Sequence, residues 1–390
     1  MALQHAQDKR QGRRAVDNDE EPRVRIGLIG AGAIMRLSHA PVIRQSGCAE
    51  LVAVYDADPA RAAALTAEHG GRVERELQAL CEAPDVDAVV VATPNRHHPE
   101  GVLAAAAAGK HVLCEKPLAI DVASAQRMVQ ACEQAGVLLQ VGFNQRFWEQ
   151  VRIARTLIEE GVIGEVIGFR SIYAERHDAY PAATRYRYDL AQSGGATIID
   201  LTIHRIDLAR HLLGEVTGIC AELTHSTIPD PVDDNVWLLA RFASGARGCL
   251  SSDRYSPAIG DGTDIYGTEG TIHLATETLN PFHAAPLAVY TERKPADLPA
   301  VLREAHYPEA WWKSFEGGWL TVKPPRRNPY VAQLAAFCRS IRRREPALVS
   351  GMDGLKAQEV IQAAYLSVRD RGWIDLPLPH DAPFVLPPYT

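Results

Sequence analysis

Two short stretches of the chain combine residue types and spacings that could do chemistry. In Arg25-Ile-Gly-Leu-Ile-Gly-Ala-Gly-Ala33 an apolar run ends in a Gly30-x-Gly32 turn. Between a strand and a helix, such a turn lets the backbone approach a pyrophosphate, which rests on helix N–H groups and the positive end of the helix dipole. Gly194-Gly-Ala-Thr-Ile-Ile-Asp200-Leu-Thr-Ile-His204 sets a carboxylate and an imidazole four residues apart on one helix face, with Asp207 on the next turn. Imidazole titrates near neutral pH and suits proton transfer. A dinucleotide cradle and a proton-transfer pair in one chain point to hydride transfer.

The hydrophobic pattern shows the elements that must position these residues. Short runs at 24–29, 51–55, 88–92, 111–114 and 137–141 read as buried strands. They alternate with helical stretches at 34–45, 59–68, 76–81, 98–108 and 122–135. Strands apolar on both faces and alternating with helices predict a doubly wound parallel sheet. After about residue 147 the pattern changes to a helix at 147–160 and a second helix at 196–213. Strand-like runs lie at 166–174, 218–224, 236–242, 248–252, 271–274 and 287–291, joined by short turns. The expected fold class is α/β: an N-terminal Rossmann domain and a C-terminal α+β domain with a large, mostly antiparallel sheet. Residues 293–327 show no clear period, which suits a loop over a site or an oligomer contact. Helices at 330–344 and 354–371 close the fold.

Of the 390 residues, 46 % are hydrophobic and 23 % charged, enough for ordinary globular cores. The net charge of -7 argues against general nucleic-acid binding, which needs clustered cations. No apolar run is long enough to span a membrane. The seven cysteines are scattered, odd in number and without a CxxC, so neither a disulfide framework nor a zinc site is expected. A reducing, cytoplasmic setting fits best. Residues 1–22 lack the apolar core of a secretion signal and read as a disordered leader.

Further polar residues fall at the carboxyl ends of the parallel strands, where ligands of such sheets bind. Asp56 ends the second strand and can accept from adenosine ribose hydroxyls; its other reading is a helix N-cap ahead of Pro59. Ala57 follows it, so no adjacent cation awaits a 2′-phosphate, and NAD is expected, with NADP left open by Arg61. Thr93 and Asn95 end the third strand, Glu115 and Lys116 the fourth, and Asn144 the fifth. Met35 stands where a third glycine or alanine is usual, so local repacking of that helix against its strand is expected.

Taken in order, the Gly-x-Gly turn, Thr93-Pro-Asn95, Glu115-Lys-Pro117, Gly142-x-Asn-x-Arg-Phe147, Gly194-Gly-x4-Asp-x3-His-x2-Asp207 and Gly267-Thr-Glu-Gly270 resemble the Gfo/Idh/MocA oxidoreductases. The resemblance runs from about residue 23 to residue 373. It implies a nucleotide-binding domain at 23–146 and a substrate-binding and oligomerisation domain at 147–376, with the helices at 330–371 packing back on the first domain and a tail at 377–390. It implies Lys116, Asp200 and His204 as the catalytic trio. A lysine ammonium beside a reacting oxygen stabilises alkoxide character, and Asp200 can orient a hydroxyl or offset the lysine charge. Either His204 or Lys116 can be the primary base.

The expected cofactor contacts are Gly30, Gly32, Ala33, Ile34, Asp56, Thr93, Asn95, His98, Glu115 and Lys116. The expected substrate contacts are Lys116, Asn144, Arg176, Tyr186, Asp200 and His204, with His177 and Arg187 nearby. The implied reaction is NAD(P)-dependent oxidation or reduction of a secondary alcohol on a sugar, inositol or related polyol, without a metal, in a homo-dimer or homo-tetramer. An NAD-dependent glycosidase and a non-catalytic cofactor-sensing protein are the alternatives.

Overall fold

In the computed structural model, which describes residues 22–176, 182–256, 261–275, 286–303, 316–379 and 381–386, the five apolar runs of the first third and one further two-residue strand form six parallel strands. These are β1 (Val24–Ile29), β2 (Ala49–Tyr55), β3 (Arg72–Val73), β4 (Ala88–Val91), β5 (His111–Cys114) and β6 (Leu139–Val141). Their order is β3-β2-β1-β4-β5-β6. All four residues of β4 are buried, as a strand covered on both faces requires. Crossover helices α1 (Ala40–Ser46), α2 (Pro59–His69), α3 (Leu77–Glu82), α4 (His98–Ala107) and α5 (Val122–Gln134) provide that cover. The strand order reverses between β1 and β4, which opens a crevice at their carboxyl ends.

The Met35 position repacks as expected. Residues Met35–His39 form a π-helical turn, and α1 begins only at Ala40, whose N–H donates to Met35 O. The wider turn accommodates a fully buried methionine where close packing on β1 would otherwise demand a small residue.

The second sheet has nine strands. They are β7 (Val166–Ala174), β8 (Val216–Thr224), β9 (Asn235–Phe242), β10 (Arg247–Asp253), β11 (Asp261–Gly267), β12 (Gly270–Leu274), β13 (Leu287–Thr291), β14 (Gly318–Val322) and β15 (Ile374–Asp375). The order is β14-β13-β12-β11-β7-β10-β9-β8-β15. Every neighbouring pair is antiparallel except β7 with β10. One face is buried and the other open: in β9, Val236, Leu238, Ala240 and Phe242 point inward while Trp237 and Leu239 are exposed. Helices α6 (Glu149–Glu159), α7 (Ile203–Leu213), α8 (Pro329–Arg343) and α9 (Gly351–Asp370) complete the chain. Four strands lie outside the expected runs: the two-residue β3 and β15, and the longer β11 and β14. β11 carries two aspartates and two glycines, a composition poor in strand formers. β14 falls within the patternless segment 293–327, of which 304–315 lie outside the described residues, as do 1–21 of the leader.

The closing helices bind the two halves together. Leu334, Phe337 and Cys338 of α8 join the core that holds Ile26, Leu28, Met35 and Ile43. α9 packs on both α5 and β8. Beneath this, Arg146 makes a bidentate pair with Asp207, at 2.8 and 2.6 Å, and reaches Asp353 at 2.9 Å. The end of β6, helix α7 and the first turn of α9 are thereby tied by one buried cation. Removing one side of such a pair strands the other in a dry interior. Asp207→Ala is therefore expected to lose about 3–5 kcal/mol of unfolding free energy in urea titrations; a loss within experimental error would show that the tie is dispensable.

Candidate active site

The glycine turn is built for close approach. Gly30 has φ +93°, and a Cβ there would lie 2.8 Å from Ala92 O, so only glycine fits. At Gly32 a Cβ would meet nothing within 4 Å; the open space above it is where a pyrophosphate would come against the backbone. Asp56 Oδ2 accepts from Ala31 N at 2.7 Å, so the end of β2 fixes the turn itself. The cap of α2 is Asp58, not Asp56. Arg61 lies 3.4 Å from the Asp58 carboxylate. Gly30, Gly32, Ala33, Ile34, Asp56 and Thr93 all line one groove. Thr93 Oγ1 is buried there without a hydrogen-bond partner among the described residues.

That groove runs into a cleft between the two sheets, with Ile34, Thr93, Tyr186 and Arg187 lining both. Asn95, His98, Glu115, Lys116, Asn144, Asp200 and His204 line the cleft. Lys116 Nζ donates to Asp200 Oδ1 at 2.8 Å and to Asp200 O at 2.9 Å. The lysine of the first half and the aspartate of the second therefore meet directly. Glu115 Oε2 accepts from Lys116 N at 3.1 Å, and its Oε1 lies 2.7 Å from His39 Nε2.

Asp200 stands in a second π-helical turn, Ile198–Thr202, that leads into α7. The expected helix is thus wider at its start, yet it still presents Asp200 and His204 to the same cleft. Its first turn is held by Asp233, whose carboxylate accepts from Ala196 N at 2.9 Å and Ile198 N at 2.7 Å. The preceding glycines are fixed by packing. A Cβ on Gly195, at φ +152°, would lie 2.0 Å from the Tyr365 hydroxyl, which itself donates to Gly194 O.

Three cations surround the Asp200 carboxylate: Lys116, Arg254 at Oδ2, and Arg187 at 3.4 Å. Burial alone would raise its proton affinity, but Lys116, Arg187 and Arg254 outweigh burial and hold the carboxyl well below its usual range. His204 is pushed well below the usual imidazole range, first by burial and then by Lys116; Asp200 opposes the shift, and Arg205 adds to it. The ring is neutral at pH 7, and its Nδ1 has no hydrogen-bond partner among the described residues. Phe143 and Tyr173 pack edge-on against it.

Two of these cleft residues also brace the backbone around them. Asn95 Nδ2 donates to Ser193 O at 2.9 Å, bracing the nucleotide half against the glycine pair. Both ring nitrogens of His98 face backbone carbonyls, Pro117 O at 2.8 Å and Thr93 O at 3.0 Å, so its ring spans two site loops. Tyr186 lines the cleft, whereas Arg176 is exposed and does not, and His177 lies outside the described residues. Sequence reasoning missed Trp148, Tyr173 and Tyr330, which line the cleft, and the buried Arg254 behind Asp200. Tyr330 comes from the first turn of α8, which Asn328 caps; the cap is readable in the sequence, but the docking of α8 is not.

A parallel sheet with a glycine cradle at its switch point, facing a lysine–aspartate–histidine cleft, defines a nucleotide-dependent oxidoreductase. Residues 24–143 match the model of an oxidoreductase family with an NAD-binding Rossmann fold, and residues 151–273 match the GFO/IDH/MocA C-terminal domain. An inositol 2-dehydrogenase of Rhizobium meliloti is 31 % identical over 359 residues, 90 % of this chain and 99 % of its own. A 1,5-anhydro-D-fructose reductase of Ensifer adhaerens is 35 % identical over 64 % of this chain and 74 % of its own. The structure of a levoglucosan dehydrogenase in complex with NADH superposes with TM-score 0.79 and 26 % identity, over 91 % of this chain and all of that one. The chain belongs to the Gfo/Idh/MocA oxidoreductase family.

Two outcomes follow from this geometry. Gly32→Ala fills only open space above the turn, so stability should hold while the NADH Kd rises about tenfold, or about 1.4 kcal/mol, in fluorescence titration; unchanged affinity would mean that nothing binds against Gly32. Burial is also the main cause lowering His98, His204 and His211, the last to about 4. In the unfolded chain these rings titrate near 6.5, so below that pH the unfolded state binds more protons and stability falls as pH falls. Between pH 7 and pH 5, His211→Gln is expected to lose about 1–2 kcal/mol less unfolding free energy than the native chain.

Proposed function

We propose that Lys116, Asp200 and His204 carry an NAD-dependent oxidation or reduction at a secondary alcohol carbon of a sugar, cyclitol or related polyol. The observation that supports this most is the Lys116–Asp200 contact where the dinucleotide groove opens into the cleft, one helical turn from a neutral imidazole. NAD, when bound, supplies the hydride acceptor for alcohol oxidation and, reduced, the donor for the reverse. Gly30, Gly32, Ala33, Ile34, Asp56 and Thr93 would hold it, with the Asp56 carboxylate toward the adenosine ribose. The Lys116 side chain, hydrogen-bonded to Asp200, is placed to polarise the substrate oxygen. His204, held neutral, is then the group that accepts the hydroxyl proton and returns it in reduction.

Trp148, Tyr173, Tyr186 and Tyr330 among the cleft's polar groups suit a ligand that presents both hydroxyls and C–H faces. We assign 23–146 to nucleotide binding and 147–376 to substrate binding and self-association. The open face of the nine-stranded sheet, with Ile167, Ile172, Trp237, Leu239 and Trp319 exposed, supports a homo-oligomer formed there. Seven unpaired cysteines suit a cytoplasmic setting. No helix among the described residues is long and apolar enough to cross a membrane.

Lys116→Met is expected to lower kcat at least about 10³-fold while the NADH Kd stays within about twofold, read at the reduced-nicotinamide absorbance with a sugar and cyclitol panel. Retained turnover would reject the assignment. Sugar release without net NADH would favour the glycosidase reading instead. For self-association, Trp237→Glu should shift the sedimenting species toward monomer.

A further inference from the structure

Of the three cations around Asp200, only Lys116 and Arg187 line the cleft. Arg254 is fully buried behind the carboxylate, immediately after β10. Its backbone N–H donates to Asp234 O at 2.9 Å. Its side chain donates to Asp200 Oδ2 from one η nitrogen and lies 3.3 Å from Glu175 Oε2 with the other. Glu175 directly follows β7, the parallel partner of β10, so the sheet itself delivers the arginine and its second carboxylate side by side. A desolvated cation in that place holds an anion in one orientation more firmly than a solvated one would.

We propose that Arg254 is a positioning residue for the reaction: it occupies Asp200 Oδ2, keeps Oδ1 turned to Lys116, and shares the carboxylate charge that faces His204. This rests on the catalytic reading given above. The groups facing His204 are Lys116 from the end of β5, Asp200 from the π turn, Arg205 beside it on α7, and Tyr173 from β7. Arg205 is itself paired with Asp261 at 2.5 Å and lies under the Tyr173 ring. Asp200 is thus the anion that raises the proton affinity of His204, and Arg254 is the buried cation that shares it. Without Arg254, the carboxylate charge falls on Lys116, Arg187 and His204 alone. His204 would then protonate at a higher pH and stop accepting the substrate proton sooner as the solution is acidified.

The test is the pH profile of kcat/KM for Arg254→Met, Arg254→Lys and Glu175→Gln, each checked for native circular dichroism and NADH affinity. In Arg254→Met the acidic limb should move up by about one pH unit, with kcat about 100-fold lower and NADH affinity little changed. Arg254→Lys should return the limb to its native position with part of the kcat. Glu175→Gln, which removes one carboxylate charge beside Arg254, should move the limb the other way. An arginine serving only as packing would lower kcat without moving the limb, so a native limb in folded Arg254→Met overturns the proposal. Should Arg254→Met not fold, an unmoved limb in Glu175→Gln overturns it instead. Failure of the underlying reading is distinct: Lys116→Met would then keep its turnover, whereas here it stays inactive whatever the limb does.

Discussion

The structure turns on one buried carboxylate shared among cations from different parts of the chain. Lys116 reaches Asp200 from the carboxyl end of β5 in the parallel sheet, and Arg254 reaches it from the end of β10 in the nine-stranded sheet. A carboxylate out of water is unfavourable unless it is paired and hydrogen-bonded. The two sheets must therefore be held at one spacing for Asp200 to remain ionised. The contact that sets the electrostatics of the cleft thus also helps to fix the relation of the two halves, beside the closing helices and Arg146.

The surrounding framework relieves that contact of any structural slack. Asp233 satisfies the buried N–H groups at the start of the Asp200 helix, and Tyr365 of α9 closes over the glycine pair before it. Arg146 ties the same helix to β6 and to α9. On the nucleotide side, Asp56 clasps the glycine turn and His98 spans the loops after β4 and β5. Most residues near the chemistry thus hold other residues still, as a preorganised site requires.

Much of this was legible from local pattern. Five strands of the parallel sheet announce themselves as apolar runs between helices, and the glycine turn, Lys116, Asp200 and His204 stand in recognisable short motifs. What could not be read is what depends on distant packing. Arg254 carries no spacing signal, because its partner Asp200 is 54 residues away and reached only through the sheet. Tyr330 enters the cleft only because α8 docks on the core around Met35. Asp207 reads equally well as a surface charge until Arg146 and Asp353 are seen around it. β11 and β14 escaped because their residues are poor strand formers or sit in a segment without period, and neighbouring strands override that weakness.

Two of the helices that open onto the ligand groove begin with a π turn, Met35–His39 on one side and Ile198–Thr202 on the other. Such a turn holds one residue more than the α-helix it interrupts. The surplus residue is absorbed in the turn itself, ahead of the helix that carries His204. A single-codon deletion in either segment would leave composition and hydrophobicity almost untouched while removing the wide turn that accommodates Met35 on one side and presents Asp200 on the other. The number of residues in these two five-residue segments thus matters as much to the protein as side-chain identity does.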